Sequence, residues 1–278
     1  MDALIFIDTN IFLDFYRIKN SEVSMSYLKL IEEHRNRIIT GSQVEMEYKK
    51  NRQTVFQDSQ LKFKNPDWNT LSVPALIAEG QEAKRLSELR NEVGKQQSEI
   101  NEMIEKIFKH PRLHDPVYKS LESLFSSKSK YNLATEDSKH SVIYELALKR
   151  FNMGYPPRKK TDTSIGDAIN WEWIVQCAIE SRKNIIIVTR DGDYGSIVKG
   201  ESFINDWLYE EFNKRVPKGI ELILENRLAK AFKSIDAAVS DTMVDEESKM
   251  IKEFRDIDTR ESSDRVSDKI INILKSYD

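Results

Sequence analysis
The sequence predicts an α/β fold in which a central parallel sheet is covered by helices on both sides. Two apolar runs carry this reading, Ala3–Ile7 and Asn184–Thr189. Neither contains a breaker, as suits strands buried on both faces. Strand-like and helix-like segments alternate around them, the pattern of a parallel sheet with helical crossovers. Both runs also end in acids, the first at Asp8-Thr9-Asn10 and the second at Arg190-Asp191-Gly192-Asp193. Ligands of open α/β sheets gather beyond the carboxyl ends of the strands, so both acidic ends are delivered to that pole.

The elements follow in order. After the first strand, residues 11–17 suit a short helix, and Ser21 can cap a longer one running to about Arg35, with Val23, Tyr27, Leu28, Leu30 and Ile31 near helical spacing. Arg37–Thr40 is a short second strand. Ser42-Gln43-Val44-Glu45 has the form of a capping box and opens a helix that carries Glu47, Lys49, Lys50 and Arg52. Residues 60–160 show no convincing strand. Pro74 opens a long polar helical run to about Lys109, with a narrow apolar stripe that includes Leu86, Leu89, Val93, Ile100 and Ile104. Residues from about 60 to 155 are therefore read as a helical insertion. A helix over 137–151 leads to the Pro156-Pro157-Arg158-Lys159-Lys160 loop, and Ser164-Ile165-Gly166-Asp167 starts the helix before the second apolar run. A helix from about Phe203 to Arg215 precedes a last strand at Ile220–Leu224. The domain is read as residues 1–225, and 226–278 as a charged helical C-terminal extension.

Composition narrows the class. The chain has 278 residues, 32% of them charged, and a net charge of −3. Its single cysteine, Cys177, excludes a disulfide framework within the chain and any multi-cysteine zinc site. Lying among apolar residues on a predicted helix, it reads as a buried, inert thiol. No apolar run approaches the ~20 residues of a membrane span, and the N-terminus lacks the form of a signal peptide. A cytoplasmic protein without a membrane partner is the expectation. The charge is uneven: residues 236–278 hold 12 acids and 7 Lys/Arg, leaving 34 acids and 36 bases in residues 1–235. A phosphate-binding surface on so neutral a body must be a local patch.

Four places supply carboxylates to the pole: Asp8, Glu45/Glu47, Asp167 and Asp191/Asp193. Right-handed connections put the helix starts at Glu47 and Asp167 on the same edge as the two strand ends. Clustered carboxylates repel one another unless a cation is bound. Oxygen donors without clustered His or Cys favour Mg²⁺ or Mn²⁺ over Zn²⁺. Each acid has a plainer use. Glu45 is the acid of the capping box, which leaves Glu47 as the better ligand. Asp167 suits the dipole of its helix, Asp191-Gly192-Asp193 suits a tight turn, and Glu172 suits an exposed salt bridge. The weight lies in all four places falling around two Asp-ended strands.

These segments resemble the PIN domain family. Ile5-Phe6-Ile7-Asp8-Thr9-Asn10 is similar to its opening signature. Gln43-Val44-Glu45-Met46-Glu47-Tyr48 with Asn51-Arg52 is similar to the helix of the second acid, placed on Glu47. Gly166-Asp167-Ala168-Ile169-Asn170-Trp171 resembles the helix of the third, and Val188-Thr189-Arg190-Asp191-Gly192-Asp193-Tyr194 the closing segment. The resemblance covers about residues 1–60 and 150–225, and the Pro-Pro-basic loop is similar to a larger bacterial branch. It implies a Rossmann-like three-layer domain and a Mg²⁺- or Mn²⁺-dependent nuclease, most often acting on RNA.

On this reading Asp8, Glu47, Asp167, Asp191 and Asp193 hold the metal, and Thr9, Asn10 and Thr189 support them from behind. Arg52, Arg158, Lys159, Lys160 and Arg190 are the expected nucleic-acid contacts, with Lys49 and Lys50 more readily explained as a solvated helix face. Tyr155, Trp171 and Tyr194 are candidates for base stacking, although core burial suits Trp171 better. An aspartyl-phosphate enzyme is disfavoured by Asn at position 10, where a second Asp is wanted. A non-catalytic scaffold that binds nucleic acid or a partner is the alternative. The helical insertion and the tail offer surfaces for a second copy or a regulatory protein.

Overall fold
The computed structural model describes residues 1–61, 73–158 and 164–253. Lys159 and Lys160, the 62–72 stretch and the end of the tail lie outside the described residues. The central sheet contains β1 (Ala3–Ile7), β2 (Ile38–Gly41), β3 (Asn132–Leu133), β4 (Asn184–Val188) and β7 (Leu222–Glu225), all parallel, in the order β3-β2-β1-β4-β7. β1 is buried along its whole length and pairs residue for residue with β4, from Ala3 with Asn184 to Ile7 with Val188. The chain steps outward from β1 to β2 on one side and to β4 on the other. The crevice between β1 and β4 is thus the switch point of the sheet, and Asp8 and Thr189 stand at its mouth.

The early helices are α1 (Thr9–Leu13), α2 (Ser21–Glu33) and α3 (Ser42–Leu61). Asn20 rather than Ser21 caps α2, accepting from the N–H groups of Glu22 and Val23. Ser42 belongs to the helix, and Glu45 bonds Lys49 at 2.6 Å on the solvent side instead of closing a capping box.

The predicted insertion is only partly a separate arm. A single 3₁₀ turn follows Pro74, and α4 (Gln81–Lys109) then runs with no fully buried residue. Short α5 (Pro111–His114) connects it to α6 (Pro116–Phe125), which returns to the body. Val117, Leu121, Leu124 and Phe125 of α6 join the same core cluster as β1, and β3 adds a sheet edge through Thr40 to Asn132 and Gly41 to Leu133. The expectation of no strand in 60–160 is therefore corrected. Two residues are too few to show a period, and only the neighbour β2 makes them a strand.

After α7 (Ser138–Met153) comes α8 (Gly166–Ser181), most of whose residues are buried. The Trp173 indole N–H donates to the carbonyls of Thr40 and Tyr131, tying α8 to β2 and to the residue before β3. Glu172 is no exposed salt bridge. It is buried between Arg150 and Arg215, which hold its carboxyl below the usual range against the effect of burial. The predicted helix from Phe203 starts later, because β5 (Gly195–Val198) and β6 (Glu201–Ile204) first make an antiparallel hairpin. Lys199 and Gly200 both take positive φ, as the tight two-residue turn of a hairpin demands. α9 (Asp206–Arg215), α10 (Leu228–Ser234) and a last helix over 241–253 complete the described chain. Among the described residues, no helix is long and apolar enough to cross a membrane.

Candidate active site
Asp8 ends β1 and caps the next helix, accepting from the Thr9 backbone N–H on Oδ1 at 2.7 Å. Its Oδ2 accepts from Asn10 Nδ2 at 2.6 Å and from the Thr189 hydroxyl at 2.5 Å. Asn10 also donates to Thr189 Oγ1, and its Oδ1 accepts from the Arg190 N–H. The Asp191 N–H closes the set on Thr189 Oγ1 at 3.0 Å. Asn10 and Thr189 therefore pin the two strand ends to each other, while Thr9 ties the Asp8 end to α3 through Glu47. Asp8 is buried, and burial is the chief cause that pushes its carboxyl up to about 6. The Glu47 and Asp191 charges add to the rise, and the Thr189 hydroxyl opposes it.

Glu47 sits on α3, where Thr9 Oγ1 and Gln43 Nε2 donate to its two oxygens at 3.0 and 2.6 Å. Gly166, the first residue of α8, lies so close that a β-carbon there would collide with the ends of Gln43 and Glu47. A glycine at this place is what lets the second and third acids approach. Asp167 follows it in the first turn of α8. Asp8, Glu47, Asp167 and Asp191 line one cleft of about 390 Å³, whereas Asp193 is half-buried and off its lining. Tyr194 lies beneath, fully buried, its phenol raised by burial and by Asp167, Asp8, Glu47 and Asp193 in that order.

Lys50, Asn51 and Ser164 also line the cleft. Lys50 and Asn51 stand three and four positions after Glu47, so helical spacing alone puts them on its face. That spacing is present in the sequence, but the solvated-face reading of Lys50 passes over it in favour of Arg52.

Two predicted phosphate contacts are corrected. Arg52 is only 3% exposed and donates to Asp115 through both Nε, at 2.9 Å, and Nη2, at 2.6 Å. A guanidinium so enclosed cannot reach a substrate. Arg190 is committed to Asp14 and to Glu247, and burial lowers it to about 10, so it remains charged at neutral pH. Arg158 is exposed and lies 4.2 Å over the Phe151 ring. The stacking candidates Trp171 and Tyr194 are both core residues, while Tyr155 packs on Trp207 with ring centroids 5.0 Å apart.

A family model described as PIN domain matches residues 5–194. The chain belongs to the PIN domain family. That span runs from β1 through Tyr194 and includes every acid of the cleft, while α9, β7, α10 and the 241–253 helix lie beyond it. No curated protein and no solved structure matched significantly.

PIN nucleases generally use divalent metals. The donor set fits one: carboxylate and amide oxygens without His or Cys suit Mg²⁺ or Mn²⁺. Burial is the main reason the Asp8 carboxyl is raised, and the Glu47 and Asp191 charges add a smaller repulsion that a cation would relieve. Among the described residues, no three of the acids close on one point as a ready-made cage.

Proposed function
We propose that this PIN domain protein is a divalent-metal-dependent nuclease that hydrolyses phosphodiester bonds, with single-stranded RNA as the substrate. The observation that carries the reading is Asp8: a buried carboxylate at the switch point, held by three hydrogen bonds and sharing one cleft with Glu47, Asp167 and Asp191. RNA is named because the family acts on it most often.

Asp8, Glu47, Asp167 and Asp191 would hold Mg²⁺ or Mn²⁺, with Asp193 close behind Asp191. The metal, when bound, would lower the pKa of an attacking water and stabilise charge on the phosphoryl oxygens. The residues themselves supply positioning. Thr9 and Gln43 fix both oxygens of Glu47, and Thr189 with Asn10 fixes Asp8. Lys50 at the cleft and exposed Arg158 supply positive charge for the flanking phosphates, with Lys159 and Lys160 next in sequence.

The test is cleavage of end-labelled single-stranded RNA and DNA of one sequence in Mn²⁺, Mg²⁺ or EDTA, with wild type and Asp8→Asn side by side. Metal-dependent cutting of the RNA that disappears in the variant is the expected result. Cutting that persists in EDTA or in Asp8→Asn would remove the acid cleft from the mechanism.

A further inference from the structure
A second cleft, of about 320 Å³, adjoins the acidic one, and Asp191 lines both. It lies between the end of β4 and the β5–β6 hairpin, with Leu224 of β7 also on its lining. Its shape follows from the sequence of the hairpin. A β-carbon on Gly195 would overlap the Phe203 carbonyl and crowd the Leu224 side chain, so glycine lets the root of the hairpin press onto the sheet. Further along, Ile197 pairs with Ser202 on the same face as Gly195, since side chains alternate along a strand. Both residues line the cleft.

The chemistry of this lining differs from that of the acidic cleft. Ile197 and Leu224 offer apolar contact, and Ser196 and Ser202 are the small polar residues of the lining. The Ser202 hydroxyl oxygen is buried with no hydrogen-bond partner among the described residues, an arrangement that native proteins seldom leave unexplained. Arg190 is the cation of the lining, and its charge is already taken by Asp14 and Glu247. A phosphate therefore has little to gain here, whereas a flat, uncharged ring with polar edges does. The volume lies at the low end for small-ligand sites.

We propose that this second cleft binds the nucleoside that flanks the scissile phosphate on the Asp191 side, with its base against Ile197 and Leu224 and its edge met by the Ser202 hydroxyl, which rotates out of its enclosed position to do so. The proposal rests on the nuclease reading for the position of the phosphate, but the cleft's affinity for a nucleoside can be measured without cleavage. A subsite of this kind would set a base preference at one position beside the cut.

The experiment titrates the full-length, isotope-labelled protein with each of the four ribonucleosides and four deoxyribonucleosides, to millimolar concentration. It follows the amide resonances of Ile197 and Ser202 by NMR. At least one nucleoside is expected to shift both. Ile197→Trp, which fills the cleft, should abolish the shifts, and Ser202→Ala should weaken binding severalfold and narrow the differences between bases. No shift with any nucleoside overturns the proposal. So do shifts that survive Ile197→Trp or that fall on the acidic cleft instead. Cleavage of an oligonucleotide by the same preparation separates the two readings. Shifts without cutting leave the subsite standing and sink the nuclease. Cutting without shifts does the reverse.

Discussion
Arg190 donates to Glu247 at 3.3 Å, joining the residue next to a candidate catalytic acid to a helix outside the span of the family match. Glu247 is buried, and its carboxylate also accepts from the backbone N–H groups of Leu228 and Ala229 and from the Tyr27 hydroxyl. α10 has no side-chain cap of its own, so a residue nearly twenty positions later supplies one. The 241–253 helix is thus a buttress of the core. Glu247→Ala leaves two buried N–H groups and a guanidinium short of a partner. It should cost roughly 3–5 kcal/mol, the range for breaking one side of a buried ion pair. Urea titration measures this, and an unchanged midpoint would make the helix an ornament.

The pH dependence of Asp8 has a definite sign. Its carboxyl titrates at about 6 in the fold, against 3.8 as its ordinary value. The folded, metal-free protein therefore carries a penalty for the buried charge above pH 6, and the penalty fades as pH falls through 6 toward 4. Asp8→Asn lacks that penalty. In EDTA, the stability of the variant relative to wild type should be greatest near pH 8 and shrink by roughly 2 kcal/mol by pH 4. Thermal or urea unfolding of both proteins across that range provides the measurement, and a gap that is constant with pH would contradict the environment described for Asp8.

Gly166→Ala separates the site from the fold. The added methyl meets only the far ends of Gln43 and Glu47, which can swing away at small cost. Alanine also favours the helix over glycine by roughly 1 kcal/mol. The unfolding midpoint should hold or rise slightly. Glu47, however, would lose its place beside Asp167, and displacements of about 1 Å in a reacting site cost on the order of a hundredfold in rate. Parallel measurement of cleavage rate and melting temperature tests this. Equal losses in both would mean that Gly166 serves packing alone.

What the sequence made legible was the part encoded locally. The two buried strands, their acidic ends and the helix starts at Ser42 and Gly166 all carry their signals within a few residues. Lys50 was reachable by its helical spacing from Glu47, but a solvated lysine looks the same in sequence as one that lines a cleft. Features that depend on distant partners were not readable in this way. Arg52 looks like any helix cation until Asp115, 63 positions away, is brought against it. Arg190 looks like a phosphate contact until Glu247, 57 positions away, arrives. β3 is a strand only because β2 lies beside it, and the hairpin turns at Lys199-Gly200, a weaker cue than Asn-Gly or Asp-Gly.

The contrast between Arg52 and the exposed cations gives the last prediction. A cation that touches a phosphate releases counterions on binding, so its removal lowers the salt dependence of affinity by about one contact and affects stability little. Lys50 lines the acidic cleft and Arg158 is exposed, so Lys50→Ala and Arg158→Ala should each flatten the plot of log affinity against log salt for a single-stranded RNA. Their unfolding free energies should change by no more than roughly 0.5 kcal/mol. Arg52→Ala should behave in the opposite way. It strands Asp115 in the interior and removes the guanidinium that packs 5.7 Å from the Tyr16 ring and 5.2 Å from that of Tyr118. A loss of roughly 3–5 kcal/mol is expected, with the salt slope of the folded fraction unchanged. A stable Arg52→Ala with a flattened slope would return this residue to the substrate surface and would require the Arg52–Asp115 pair to open in solution.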